Sequence, residues 1–108
     1  MVMSAVSQGE ILHLEKGRFE ILVLSKDFFN RSGMVIACPI VKNAPPDALH
    51  IPVCTDHFHG TACLEQLKGI DIQSRFYTRI GRIPFIQIQD IADAVQSIFD
   101  YYPYSQLD

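Results

Sequence analysis

The sequence has no long apolar run, no export signal and no excess of positive charge. No stretch approaches the roughly 18–20 apolar residues that a membrane-spanning helix needs, and the segment MVMSAVSQGE lacks the basic start and apolar middle of a signal peptide. We therefore expect a cytoplasmic protein with no membrane segment. The net charge of −3 argues against a protein that coats nucleic acid generally, because phosphate binding requires a cationic surface.

The cysteine count is low and odd. An odd number of cysteines without an export signal does not favour a disulfide framework, so Cys38, Cys54 and Cys63 are expected to be reduced and to pack as small apolar side chains.

The segment CTDHFH is the one place where zinc-competent residue types cluster. Cys54, Asp56, His57 and His59 lie within it, and His50 lies nearby. The usual CxxC pair is absent, and the two histidines do not have helical spacing. We therefore expect neither a metal site nor a cofactor.

Positive charge is concentrated in one short region. Residues 68–82 contain Lys68, Arg75, Arg79 and Arg82 against Asp71 alone, which gives a local charge of +3 on an acidic chain. This asymmetry fits a polyanion site, although a solvated charged face would give the same pattern.

The 108 residues, 48% of them apolar, suit one domain spanning residues 1–108, of which residues 1–8 are expected to be flexible. Two apolar strands flank a polar turn between Phe19 and Val41, and further strands follow, including one predicted over Ala62–Leu67. Pro39 predicts a sheet edge, a bulge or a strand end. The pattern predicts five or six mostly antiparallel strands that form a small barrel.

A change of period marks the C-terminal helix. Ile88, Ile91, Ala92, Val95, Ile98 and Phe99 have the spacing of an amphipathic stripe. Asp90 and Asp93 are expected near its start, where negative charge suits the helix dipole.

The order of three short motifs resembles that of a known family. Gly9-Glu10-Ile11 starts a strand, and Val23-Leu24-Ser25 ends the next. A spaced set follows, made of Gly60, Gln66, Ile70, Asp71 and Arg75. From Gly9 to about Phe99, this arrangement resembles the MazF/PemK family, the toxins of bacterial toxin–antitoxin pairs.

The resemblance implies a small SH3-like antiparallel β-barrel with a C-terminal helix, usually a homodimer. It implies metal-independent cleavage of single-stranded RNA, in which the ribose 2′-OH attacks the adjacent phosphate and leaves a cyclic phosphate. It also implies an antitoxin partner whose C-terminal tail blocks the RNA groove.

The expected catalytic positions are altered. Phe19 stands where the family has an arginine, Glu20 where a proline usually follows, and Val41 where a threonine or serine is expected. Arg18 is one residue away and would face the other side of the strand unless a bulge near Gly17 re-aims it.

Other residues could supply the base, the acid and the cations that the reaction needs. Glu65 stands where some relatives carry a catalytic aspartate, and Arg75 matches the family arginine after Ile-Asp. The candidate catalytic residues are Glu65, Arg75 and Arg18, and the candidate RNA-binding residues are Lys42, Arg79, Arg82, His57 and His59. Ordinary surface charge or ion pairing would explain each of them equally well.

Two alternatives to an active nuclease remain open. The apolar Phe19 and Val41 suit a binding module that has lost cleavage and acts on a protein partner, as the related CcdB toxins act on gyrase. An unrelated small barrel enzyme that uses the His57/His59 loop with a metal is the other alternative.

Overall fold

The computed structural model describes residues 6–16 and 19–99. They form an antiparallel sheet of seven strands with two helices. The elements are β1 (Glu10–Leu14), β2 (Glu20–Val23), α1 (Asp27–Asn30), β3 (Met34–Val41), β4 (His50–Cys54), β5 (His59–Cys63), β6 (Lys68–Asp71), β7 (Tyr77–Arg82) and α2 (Phe85–Ile98). The sheet curls into a half-barrel, so the predicted mainly β fold with a C-terminal helix is confirmed.

The long strand β3 organises the sheet. The main strand order is β4-β5-β3-β2-β1-β7, and β6 also pairs with β3. On the side away from β2, β3 pairs with β6 up to Ala37 and with β5 from Ile40. Pro39 lies between these two partners, inside the strand rather than at an edge or end as expected. A residue without an N–H is tolerated there because the ladder on that side is already interrupted.

Both faces of the sheet are covered, which explains why its strands are apolar on both faces. One buried cluster includes residues of α2 and consists of Ile11, Leu22, Cys38, Ile40, Val53, Ala62, Leu64, Ile83, Ile88 and Ile91. The other cluster lies on the opposite face of the strands and consists of Val6, Leu12, Leu14, Ile21, Val23, Val35, Ala37, Ile70 and Ile72.

The chain between β5 and β6 departs from the predicted strand over Ala62–Leu67. β5 ends at Cys63, a 3₁₀ turn covers Leu64–Gln66, and β6 begins at Lys68. Leu64 is completely buried in this turn, so an apolar pattern continues through a segment that is not extended.

Helix α2 begins at Phe85, earlier than the apolar stripe indicates, and Pro84 precedes it with extended backbone. Its first turn contains no acidic residue, so the expected interaction of Asp90 and Asp93 with the helix start is wrong. Of the predicted stripe, Ile88 and Ile91 are buried and Val95 is half-buried, whereas Ala92, Ile98 and Phe99 are exposed. Neither helix of the described residues has both the length and the apolar character needed to cross a membrane.

The segment before β1 is anchored where the structure describes it. Residues 1–5, part of the segment expected to be flexible, lie outside the described residues. Val6 is only 2% exposed, the backbone N–H of Ser7 donates to Glu10 Oε1 at 2.7 Å, and Gln8 Nε2 donates to the Leu24 carbonyl at 2.8 Å. Residues 6–8 are therefore part of the fold.

Candidate functional site

A cleft of about 510 Å³ lies where β2 begins and β3 ends. Glu20 pairs with Ile40, and Val41 pairs with Thr61 in β5, so three strands meet there. The cleft is lined by Glu20, Ile40, Val41, Lys42, Asn43, His57, Phe58 and His59. It combines an apolar floor with a carboxylate, an ammonium group and two imidazoles.

Glu20 is linked to a histidine on the neighbouring strand. The antiparallel register of β1 and β2 places His13 opposite Glu20, and His13 Nδ1 lies 2.8 Å from Glu20 Oε2. Both side chains are partly exposed, at 38% and 26%. The pair can move a proton or hold a carboxylate in position, which is what a general base requires.

A tight turn and a close strand contact position the two histidines of the cleft. The N–H of Thr55 donates to the Phe58 carbonyl at 2.7 Å, which closes the turn that contains His57. At Gly60, beside His59, a Cβ atom would lie 2.6 Å from Ile40 Cγ2 and 3.0 Å from the Val41 carbonyl oxygen. Glycine therefore permits β5 to approach the end of β3 and to form one side of the cleft.

A second cleft, of about 460 Å³, adjoins the first through His57. It is lined by Cys54, Thr55, Asp56, His57, Ile80, Gly81, Arg82 and Pro84. Together the two clefts form a surface with Lys42 in one part and Arg82 in the other. We call this surface the paired cleft.

Comparison with known sequences identifies the family. Residues 7–99 match the profile described as PemK-like, MazF-like toxin of type II toxin-antitoxin system. The chain belongs to this toxin family. The resemblance found from the order of the sequence motifs is confirmed. A search of curated protein sequences finds no match.

Solved MazF structures share the fold of this family member. A chain in the crystal structure of MazE-MazF from Deinococcus radiodurans matches with a TM-score of 0.80 and 20% identity, covering 88% of this chain and 96% of that one. An endoribonuclease from a mycobacterial species matches with a TM-score of 0.78 and 13% identity, covering 95% and 100%. A mycobacterial endoribonuclease in complex with its cognate antitoxin matches with a TM-score of 0.76 and 13% identity. The match covers 92% of this chain and 100% of that one.

The paired cleft of this PemK/MazF-like chain contains several residues singled out from the sequence. Lys42, His57 and His59 line the first part, and Arg82 lines the second. Arg79 is engaged elsewhere, since its Nε lies 3.0 Å from Glu10 Oε2 and its guanidinium lies 5.8 Å from the centre of the Tyr77 ring. The basic residues of segment 68–82 therefore do not form a single patch.

Glu65 lies at the far end of β5 from the cleft. Cys63 lies four positions after His59, which corresponds to about 13 Å along a strand, and Glu65 follows in the 3₁₀ turn. Its Oε2 lies 2.9 Å from His50 Nε2. The hydrogen bond with His50 lowers the pKa of Glu65, and hydrogen bonds to the Pro45 carbonyl and to Glu65 raise the pKa of His50.

Arg75 is also separate from the paired cleft. It lines a small cavity with Leu14, Lys16, Ser74 and Phe76. Arg18 lies outside the described residues. The described part of the chain thus does not bring Glu65 and Arg75 together, and the catalytic assignment of Glu65, Arg75 and Arg18 stays a prediction.

Sequence reasoning missed Glu20 and His13 as a pair. Glu20 was noted only as a departure from the family proline, and His13 carried no motif. One feature of the sequence points to Glu20: a charged residue stands where the family has proline, at the start of the apolar strand β2. Their contact depends on strand register, which the sequence does not state.

The cysteines differ in their exposure. Cys54 is exposed, whereas Cys38 and Cys63 are buried. Burial, helped by the neighbouring Cys63, raises the pKa of Cys38 to about 12, and burial also raises the pKa of Cys63. Within residues 6–16 and 19–99, potential metal ligands converge at His50, Cys63 and Glu65 rather than in the CTDHFH loop.

Proposed function

We propose that this chain is a toxin that cleaves single-stranded RNA in the paired cleft, by attack of a ribose 2′-OH on the adjacent phosphate and without a metal ion. The observation that carries the proposal is the convergence of Glu20, Lys42, His57 and His59 on one open cleft. Membership of the toxin family and structural likeness to an endoribonuclease support it.

The cleft contains a group for each requirement of the reaction. The Glu20 carboxylate, oriented by His13, would take the proton of the 2′-OH. His57 or His59 would protonate the leaving 5′-oxygen, since histidine is the side chain best suited to proton exchange near neutral pH. Lys42 would stabilise the negative charge that accumulates on the phosphorane.

The second part of the cleft would bind the RNA beyond the reacting phosphate. Arg82 lines this part, which shares His57 with the part that contains Lys42. Lys42 and Arg82, one in each part of the cleft, would each bind a phosphate of the RNA. The negative charge of Asp56 would repel any phosphate that came close to it. The apolar side chain of Phe58 offers a stacking surface for an unpaired base.

We also propose an antitoxin partner and a homodimer. A matched structure contains an endoribonuclease with its cognate antitoxin, which supports an antitoxin for this chain. The antitoxin would cover the paired cleft and exclude RNA. Phe76, Phe85 and Ile86 are at least 70% exposed, and a dimer interface would remove such apolar surface from water.

A second candidate function is protein binding without cleavage. Ile40, Val41 and Phe58 make part of the cleft apolar, and Val41 occupies the position where the family resemblance predicts a hydroxyl. Such a surface could hold an apolar peptide side chain in place of a phosphate.

The decisive experiment is cleavage of end-labelled single-stranded RNA in excess EDTA. The wild-type chain, purified without antitoxin, is expected to leave a 2′,3′-cyclic phosphate. Glu20→Gln should lower kcat/KM by about 10²–10⁴-fold, the usual contribution of a general base. Glu15→Gln removes a matched carboxylate on an exposed residue that does not line the cleft and should leave the rate unchanged.

The same assay separates the competing assignments. Lys42→Gln is compared with Lys26→Gln, an exposed lysine outside the cleft. Glu65→Gln and Arg75→Gln test the sequence-based catalytic set. Full activity in Glu20→Gln, or activity that EDTA abolishes while circular dichroism shows an intact fold, would overturn the proposed mechanism. A folded wild-type chain that leaves RNA intact would favour the protein-binding module.

A further inference from the structure

We propose that His50, Cys63 and Glu65 form a second, separate site that binds a divalent transition-metal ion such as Zn²⁺. Imidazole nitrogen, thiolate sulfur and carboxylate oxygen are the three ligand types that zinc uses in proteins. One ligand atom from each residue lies within 4.8 Å of the others.

The fold brings the three residues together from two strands and a turn. His50 and Cys63 are directly opposite each other in the antiparallel pair of β4 and β5, so their side chains share one face. Glu65 follows two residues later in the 3₁₀ turn, which bends the chain back toward His50. This juxtaposition arises at the end of the β4–β5 pair, where the chain changes direction.

The distances are close to those of a tetrahedral site. Zinc–ligand bonds of about 2.0–2.3 Å place the ligand atoms about 3.3–3.8 Å apart. The 2.9 Å separation of His50 Nε2 and Glu65 Oε2 must therefore widen slightly, and any pair near 4.8 Å must close by about 1 Å. Rotation of the Glu65 side chain, which is 41% exposed, can change its distances to His50 and Cys63, and rotation of the Cys63 side chain can change its distance to His50. Three protein ligands would leave the fourth position for water.

The second ring nitrogen of His50 is already held as it would be in a metal ligand. His50 Nδ1 lies 2.6 Å from the Pro45 carbonyl oxygen. A carbonyl oxygen only accepts, so Nδ1 donates to Pro45. Nε2 faces the Glu65 carboxylate, which also only accepts, so Nε2 carries a proton in this pair and a metal ion would take the place of that proton. Histidine ligands commonly donate their other N–H to a backbone carbonyl, which fixes both the tautomer and the ring orientation.

The site is distinct from the paired cleft. Cys63 is buried and the His50 side chain is 13% exposed, whereas the Glu65 side chain is 41% exposed, so the ion would be reached from the solvent on the Glu65 side. His59, at the other end of β5, lies about 13 Å from Cys63 along the strand. A bound ion would join β4, β5 and the 3₁₀ turn without touching the cleft proposed for RNA.

Cobalt substitution tests the site directly. The full-length chain is stripped of metal with EDTA, freed of EDTA by gel filtration and titrated with Co²⁺ alone. The wild type is expected to bind one ion per chain, with the near-ultraviolet charge-transfer band of a cobalt–thiolate bond and the intense visible bands of tetrahedral Co²⁺. Added Zn²⁺ should remove these bands by displacement.

Matched variants locate the ligands. Cys63→Ser should eliminate the charge-transfer band, and Glu65→Gln should raise the Kd for Co²⁺ and Zn²⁺ by about tenfold or more. Cys54→Ser and His59→Gln are controls from the CTDHFH loop and should bind like the wild type. Because Glu65 is partly exposed, Glu65→Gln remains folded and informative even if Cys63→Ser does not fold.

Several results would overturn this proposal. Wild-type protein without a charge-transfer band would exclude a thiolate ligand. Wild-type affinity in Glu65→Gln would remove the carboxylate from the site. Loss of binding in Cys54→Ser or His59→Gln would place the ion in the loop instead. None of these results depends on whether the chain cleaves RNA.

Discussion

Among the described residues, Asn30 is the one polar residue that is buried. Its replacement tests how much its hydrogen bonds contribute to the stability of the fold. Its Nδ2 donates to the Val6 carbonyl at 2.6 Å and to the Ser25 carbonyl at 3.0 Å, and its Oδ1 accepts from Ser25 Oγ. Ser25 Oγ also accepts from the N–H of Ile36 at 2.8 Å. The network joins the N-terminal segment, the end of β2, α1 and β3.

Replacing Asn30 with alanine should lower the free energy of unfolding by about 3 kcal/mol. Three hydrogen bonds of about 1 kcal/mol each are lost, and the two carbonyl oxygens are left without this donor. The loss is a large fraction of the roughly 5–15 kcal/mol that stabilises a typical domain. Urea unfolding followed by circular dichroism measures it. Asn43→Ala is the matched control. Asn43 is exposed, so its replacement should change the free energy of unfolding by no more than about 0.5 kcal/mol.

Asn30→Asp adds a test that depends on pH. The new carboxylate would face two carbonyl oxygens, which cannot donate, so the folded state disfavours the charged form and raises its pKa above the unfolded value. The destabilisation is then complete above the folded pKa and decreases as the pH falls through it. A cost below about 1 kcal/mol for Asn30→Ala, or a pH-independent cost for Asn30→Asp, would refute the network's role.

Three further predictions follow from burial and charge. In the metal-free chain, hydrogen bonds to the Pro45 carbonyl and to Glu65 raise the pKa of His50. Its contribution to stability is therefore present below the ordinary histidine pKa and is lost as pH rises through the raised value. Glu65→Gln should move the His50 titration seen by NMR to lower pH. Ile91→Ala should cost about 2–5 kcal/mol in chemical denaturation, whereas Ile86→Ala, 70% exposed, should be nearly neutral. Iodoacetamide should label Cys54 in the native protein, and mass spectrometry should find the two buried cysteines modified only after unfolding.

The elements that could be predicted are those with a local signal. The strands β2 and β3 and the helix α2 can be predicted because the spacing of apolar residues within each segment indicates its secondary structure. The 3₁₀ turn over Leu64–Gln66 could not be found this way, since Leu64 is buried in a turn and looks like a strand residue. The position of Pro39 inside β3 could not be predicted. A proline is accommodated there because neither β5 nor β6 pairs with β3 at that residue, which the sequence of β3 alone does not show.

The candidate site was predictable only in part, for a similar reason. Lys42, His57 and His59 stand at strand ends and in a loop, where the sequence already singles them out as RNA-binding candidates, and the structure brings the three residues to one cleft. The contacts of Glu20 with His13 and of Glu65 with His50 depend on the antiparallel register of two strands. Register is a property of the folded sheet, and residues seven or fifteen positions apart become neighbours only through it.

Strand alternation explains how the altered family positions could still support chemistry. Phe19 packs against the buried cluster that contains Ile21 and lies beside Lys68, whose Nζ is 5.9 Å from the ring centre. Glu20, the next residue, lines the cleft. Successive strand residues face opposite sides, so a cation at position 19 would point away from the cleft in this register. Under the proposed mechanism, the reacting groups come from the face of Glu20, where the sheet and the 55–58 turn bring Lys42, His57 and His59 to the same cleft.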